Sequence, residues 1–171
     1  MSKIGIFFGS SGGVTRAVAE KLEELFDGAE LIDMEEDFDD IDQMLEYDIL
    51  LLGSSTWGQG DPQRDWVDPL YEIESDDVDF SGKTIALFGA GDQETHGEHF
   101  VSALGKMYDL FSARGAKLVG SFPTDGFTYE FSLAEKEGKF VGLPIDDVNQ
   151  AELTDERVEK WAADVKAELG L

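Results

Sequence analysis

Three glycine-rich loops hold the residues whose types and spacing suit ligand chemistry. The first is Gly9-Ser10-Ser11-Gly12-Gly13-Val14-Thr15-Arg16, between an apolar run and a helical pattern. Small residues let backbone N–H groups converge on an anion there, and a helix dipole adds partial positive charge. Ser10, Ser11 and Thr15 add hydroxyl donors. The loop lacks the lysine of a P-loop and the spacing G-x-G-x-x-G. Phosphate binding and an ordinary tight turn both stay open on the loop alone.

The second loop is Ser54-Ser55-Thr56-Trp57-Gly58-Gln59-Gly60-Asp61. A Trp among glycines after a strand is poorly explained by core packing. Its flat ring suits stacking on a planar ligand, and the alternative is a Trp folded back on the surface. Gly58 accepts either sign of φ, so the peptide after it can turn cheaply. The third loop is Gly89-Ala90-Gly91-Asp92-Gln93-Glu94-Thr95-His96-Gly97. Gly89, Ala90 and Gly91 permit close backbone approach, and Asp92 can accept from a ring N–H. His96 reads either as a second wall against a ligand or as an exposed loop histidine. His99 reads as solvent-facing near a helix start. Two histidines without convergent carboxylates do not make a metal site.

Composition narrows the chemistry further. The 171 residues include 38 acidic and 13 basic side chains, a formal net charge of −25. Such a chain is no general nucleic-acid binder, because duplex affinity comes largely from Lys and Arg neutralising phosphates. Anionic lipid surfaces repel it as well. The absence of cysteine excludes disulfides, thiolate metal sites and thiol nucleophiles. A hydrophobic fraction of 42% supplies a core, so acidity does not signal disorder here. It fits adaptation to high salt or encounters with basic partners. No stretch approaches about eighteen consecutive apolar residues, so no membrane helix is expected. Met1-Ser2-Lys3 runs straight into Ile4–Phe8, too short for a signal-peptide core, which makes a cytoplasmic location the default expectation.

The elements that must position these loops follow from periodicity. Ile4–Phe8, Leu31-Ile32, Asp48–Gly53, Lys83–Phe88 and Leu118–Phe122 read as strands. Helical spacing joins Val14, Val18, Leu22 and Leu25, then Trp66, Leu70 and Tyr71, then Phe100, Leu104, Tyr108 and Phe111. A short helix is expected around Ile41–Leu45, and a last one through Val158, Trp161 and Val165 with Thr154 as its N-cap. This β-α-β-α order argues for an α/β fold, a doubly wound parallel sheet buried on both faces. Pro123–Gly138 breaks the rhythm and reads as an insertion that interrupts or extends the fifth strand. There is no linker, so one domain over residues 1–171 is expected.

From end to end the chain resembles a long-chain flavodoxin. The resemblance rests on Lys3-Ile4-Gly5-Ile6-Phe7-Phe8-Gly9-Ser10, Thr56-Trp57-Gly58, Asp79-Phe80-Ser81-Gly82-Lys83-Thr84 and Leu87-Phe88-Gly89-Ala90-Gly91-Asp92-Gln93. It continues through Arg114-Gly115-Ala116-Lys117, Thr124-Asp125-Gly126, Gly138-Lys139-Phe140-Val141-Gly142-Leu143, Asn149-Gln150 and Thr154-Asp155-Glu156-Arg157-Val158. It implies a flavodoxin-like five-stranded parallel sheet, order 2-1-3-4-5, in three α/β/α layers with an insertion in the fifth strand. It also implies non-covalent FMN and low-potential one-electron transfer through oxidised, semiquinone and hydroquinone states.

By motif position, Ser10, Ser11, Gly12, Gly13, Val14 and Thr15 would hold the phosphate. Ser55 and Thr56 would meet the ribityl chain, Trp57 one ring face, and Gly58 the peptide that turns. Gly89, Ala90, Gly91 and Asp92 would meet the ring's polar edge, and Asp147 and Asn149 belong to a segment near the flavin in relatives. Two departures stand out. The family usually has Thr-Gly-x-Thr in the phosphate loop, whereas this chain has Gly12-Gly13-Val14-Thr15. His96 replaces the usual Tyr on the second ring face. Partners implied are soluble redox proteins with basic surfaces, of the ferredoxin–NADP reductase, pyruvate oxidoreductase or nitrogenase iron protein type, met by a monomer. A flavodoxin-like NAD(P)H:quinone reductase is the alternative. A receiver domain needs carboxylates where Gly9-Ser10 and Gly53-Ser54 stand.

Overall fold

The computed structural model describes residues 2–171. Its elements run β1 (Ile4–Gly9), α1 (Val14–Leu25), β2 (Glu30–Asp33), α2 (Ile41–Leu45), β3 (Ile49–Ser54), β4 (Thr56–Trp57), β5 (Asp61–Pro62) and α3 (Arg64–Ser75). They continue as β6 (Thr84–Ala90), α4 (Ser102–Ala113), β7 (Lys117–Val119), β8 (Phe122–Pro123), β9 (Glu135–Lys136), β10 (Lys139–Phe140), β11 (Leu143–Ile145) and α5 (Thr154–Leu169).

The main sheet has the order β2-β1-β3-β6, and β6 pairs at its far edge with both β7 and β11, all in parallel. Every residue of β1 and β3 is buried, as strands covered on both faces must be. Winding reverses at β1, so right-handed crossovers place helices on both faces. Helices α1 and α5 pack together, as do α3 and α4.

The fifth strand is split. β7 pairs with Thr84–Ala86 and β11 with Phe88–Ala90, so only Leu87 of β6 lies between the two halves. The chain leaves at Gly120, in left-handed conformation at φ +84°, and returns at Gly142. A Cβ on Gly142 would lie 2.4 Å from the Leu87 carbonyl oxygen, so only glycine fits the return. Between these points β8, β10 and β9 form a small antiparallel ribbon. Its aromatic rings pack with Phe100: Phe127, Tyr129 and Phe140 have ring centroids 5.6, 5.7 and 5.8 Å away.

Four local expectations change. The insertion interrupts the strand and is wider than Pro123–Gly138, because Phe122 pairs with Phe140 in the ribbon and not with β6. The Ser54–Pro62 loop contains a hairpin, with Trp57 opposite Asp61. Thr154 is the first helical residue and not the N-cap of α5, because its hydroxyl donates to Asp147 Oδ1 at 2.8 Å. His99 is half-buried in a short 3₁₀ turn and does not face open solvent. No helix among the described residues is long and apolar enough to cross a membrane.

Candidate functional site

A cavity of about 510 Å³ opens beyond the carboxyl ends of β1, β3 and β6. Ligands bind there in open α/β sheets, next to the strand at which winding reverses. The volume lies within the ~300–1,000 Å³ typical of small-molecule sites. The three loops singled out by residue type meet around it.

One end is the start of α1. Ser10, Gly12, Val14 and Thr15 line it. Gly13 occupies the cap position at φ +92°, a conformation glycine enters without Cβ strain. No side chain caps this helix among the described residues, and its first turn holds no acidic residue, unlike α2, α3 and α5. The Thr15 hydroxyl is buried without a hydrogen-bond partner among the described residues. Such a group costs roughly 1–3 kcal/mol unless a ligand satisfies it. Arg16, also in this turn, is held by Asp33 Oδ2 at 2.6 Å. No Lys or Arg lines the cavity among the described residues. The attraction for an anion at this end therefore comes from main-chain N–H groups, a hydroxyl and the helix dipole.

The opposite walls are mostly apolar. Trp57 is 50% exposed, and its indole N–H donates to Ser55 Oγ at 2.7 Å. That bond fixes the ring to its own loop and engages the Ser55 side chain. Thr56 Oγ1 accepts from the Ala103 N–H at 3.1 Å, capping the start of α4. The loop therefore presents its backbone, more than these hydroxyls, to a ligand. Gly58 sits at φ +52°.

The third wall comes from β6 and the segment after it. Ala90, Gly91, Asp92 and His96 line the cavity. The Gly91 N–H donates to Ile145 O at 2.8 Å, tying this wall to β11. His96 is exposed at the rim. Burial alone would raise the Asp92 pKa. Hydrogen bonds from the Thr95 amide, the Asn149 side chain, the Thr95 side chain and the Glu94 amide outweigh it and hold the carboxyl below the usual range.

Five sequence-selected residues, Ser11, Gly13, Gly89, Asp147 and Asn149, lie outside the lining. Ser11 Oγ accepts from Gln63 Nε2 at 3.0 Å. Gly13 serves the lining residues through its turn. A Cβ on Gly89 would sit 1.9 Å from Ser54 O, so Gly89 lets β3 and β6 close together. Asp147 faces Thr154. Four lining residues escaped sequence reasoning: His99, Phe100, Val101 and Val148. Val101 is β-branched yet adopts φ +45°. That conformation is strained for such a residue and is held by near-complete burial. Val148 is 71% exposed and arrives from the loop between β11 and α5. No cluster of three or more His, Asp or Glu able to hold a metal occurs among the described residues.

The flavodoxin family model matches residues 6–161. The chain belongs to the flavodoxin family. It is 63% identical to flavodoxin 1 of Azotobacter vinelandii over 98% of both chains. It is 45% identical to a Picosynechococcus flavodoxin over the full length of both. Among solved structures, a Fusobacterium nucleatum flavodoxin bound to flavin mononucleotide superposes with TM-score 0.90 at 30% identity, covering 98% of this chain and 99% of that one. The parallel order β2-β1-β3-β6-β7 between helical layers is the flavodoxin architecture expected from the sequence.

Proposed function

We propose that this flavodoxin binds FMN non-covalently in the cavity and carries electrons, without being an enzyme, between redox partner proteins. One observation carries the assignment of the site. A single cavity has a partnerless buried Thr15 hydroxyl at an uncapped helix start and a half-exposed Trp57 across from it. The first suits a phosphate and the second a flat ring. Bound FMN supplies one-electron chemistry.

The chain's own residues do the rest. Main-chain N–H groups at Gly12, Val14 and Thr15 and the Thr15 hydroxyl hold the phosphate, while the Gly13 N–H donates to Ser10 Oγ at 3.1 Å and shapes the turn. The Ser55–Trp57 backbone holds the ribityl chain, and Trp57 covers one ring face. Asp92 accepts at the polar ring edge, and His96 borders the other face. Gly58 lets the following peptide turn its carbonyl toward or away from the ring at low cost. The net charge of −25 opposes added negative charge at the site, which favours a low potential.

The acidic rim beside the cavity steers basic partners. Within it, Asp61 pairs with Lys106 at 3.1 Å, and Asp65 accepts from Gln63 at 2.8 Å. Asp68 and Glu94 are exposed and head no ion pair among the described residues, so they carry most of the steering. Partners of the ferredoxin–NADP reductase, pyruvate oxidoreductase or nitrogenase iron protein type fit this charge. A cytoplasmic monomer completes the reading. The full-length relatives are flavodoxins, which does not favour the quinone-reductase alternative.

The test is a visible spectrum of the purified protein during stepwise reduction, with FMN added to the stripped form. A flavin spectrum that reduces in two separate one-electron stages supports the reading. A colourless protein that takes up no FMN overturns it.

A further inference from the structure

The Asp92 carboxylate is held in an uneven way. Three N–H donors reach it, and all three use Oδ1: Asn149 Nδ2 at 2.8 Å, the Thr95 amide at 3.0 Å and the Glu94 amide at 3.2 Å. The Thr95 hydroxyl adds a fourth hydrogen bond to the same carboxylate. Two of the three N–H donors are main-chain groups of Asp92's own turn. Only Asn149 comes from outside it, 57 residues along the chain.

Asn149 is itself anchored. The same Nδ2 group donates to Asp146 Oδ2 at 2.9 Å, and the Asn149 main-chain N–H donates to Asp146 Oδ1 at 3.0 Å. Asp146 is fully buried and also accepts from the Gln93 N–H at 3.1 Å. The two hydrogens of one amide thus join a buried carboxylate on the β11–α5 loop to the cavity carboxylate on the β6 loop. An amide suits this place because it offers two donors in one plane. A carboxylate there would face two others, and an alkyl group would leave both unjoined.

We propose that Asn149 is a positioning residue that fixes the Asp92 carboxylate, the only tie to it from outside its own turn among the hydrogen bonds above, so that it accepts the ring N–H of the bound flavin. Asn149 then governs discrimination at the polar ring edge and leaves the phosphate end alone. It also holds Val148, its neighbour in sequence, at the cavity mouth. This inference rests on the FMN reading above and refines it.

Asn149→Ala and Asn149→Asp test it by dissociation constants, measured from flavin fluorescence quenching on the stripped protein. Three ligands are used: FMN, FMN methylated at the ring N3, and riboflavin. Wild type should bind FMN more tightly than the N3-methyl analogue, because methylation removes the hydrogen that Asp92 accepts. Both variants should reduce that preference about tenfold, the scale of one hydrogen bond to a charged group. The preference for FMN over riboflavin, set at the α1 end, should not move. Asn149→Asp has the shape of the native side chain, so the pair separates lost donors from lost packing. Hydrogen exchange at β1 and β3 amides of the ligand-free variants checks the fold independently. Wild-type preference at N3 retained by both folded variants overturns the proposal. Equal loss of both preferences also overturns it, because that marks a general loosening. Failure of wild type to bind FMN at all would instead overturn the reading on which the inference rests.

Discussion

At the α1 end of the cavity the groups proposed to meet the ligand are backbone N–H groups and one buried hydroxyl. At the Trp57 end they are side chains on three separate loops, with Trp57, His96 and Val148 exposed and Asp92 half-buried. Rigid main chain, fixed by β1 and the first turn of a helix, builds the first. Side-chain hydrogen bonds build the second: Trp57 to Ser55, Thr56 to the start of α4, and Asp92 to Asn149. The first end suits a ligand group of constant charge. The second suits a ring whose charge changes and which must be reached by partners. The contrast fits a cavity that no Lys or Arg lines among the described residues, in a chain of net charge −25. A phosphate held as proposed at a helix start needs no positive side chain near the ring.

Substitutions at each end should separate them. The largest effect is expected at Thr15. Thr15→Val should weaken FMN about 10- to 150-fold, the equivalent of roughly 1.5–3 kcal/mol for a hydrogen bond to a charged group. Riboflavin affinity should stay unchanged. The ligand-free protein should hold its stability to urea or gain roughly 1 kcal/mol, because a buried unsatisfied hydroxyl is replaced by a methyl of similar shape. Equal weakening of FMN and riboflavin would remove Thr15 from the phosphate end.

Trp57→Ala should do the reverse. FMN and riboflavin should weaken together by roughly tenfold, as expected for a lost aromatic stack. Folding stability should change by about 0.5 kcal/mol or less, since the ring is half exposed. Fluorescence titration and urea unfolding measure the two quantities.

The effect at His96 is smaller. An imidazole offers less ring surface for stacking than a phenol, so His96→Tyr should tighten FMN and riboflavin alike by about threefold, within the range of one aromatic contact. Fluorescence titration checks it, and unchanged affinities would remove His96 from the ring face.

The smallest effect is expected in acid, at Asp92. Its pKa is lowered in the folded protein, so its hydrogen bonds stabilise the fold above the ordinary carboxylate value of 3.8. That stabilisation is lost as pH falls through the lower, folded value. Asp92→Asn should therefore destabilise the ligand-free protein near neutrality and converge on wild type in strong acid. A constant difference across the acid range, in urea unfolding at a series of pH values, would contradict the sign.

The two ends also differ in how far they could be read in advance. The α1 end was legible because its chemistry is local. A strand, a glycine turn and a helix start follow one another in sequence, and only their order is needed. At the other end Trp57 and Asp92 stood out because glycines surround them. Phe100 did not, since its spacing with Leu104, Tyr108 and Phe111 reads as a helix face; His99 reads as solvent-facing, and Val101 carries no signal of its own. Val148 sits in a polar segment with no local signal. Thr154 matched the sequence pattern of a cap, yet its hydroxyl is used by Asp147.

The sequence by itself determined the parallel sheet, because uninterrupted apolar runs such as Ile49–Leu52 can only be covered from both sides. It also determined the sites of the three loops, because glycine and hydroxyl residues mark where backbone must approach a ligand. Only the tertiary structure decided that the split fifth strand loses a single position, that Asn149 reaches Asp92, and that Thr15 is left without a partner. Those facts depend on distances between segments tens of residues apart. They are set by how the sheet closes and how the loops pack, which residue order does not contain.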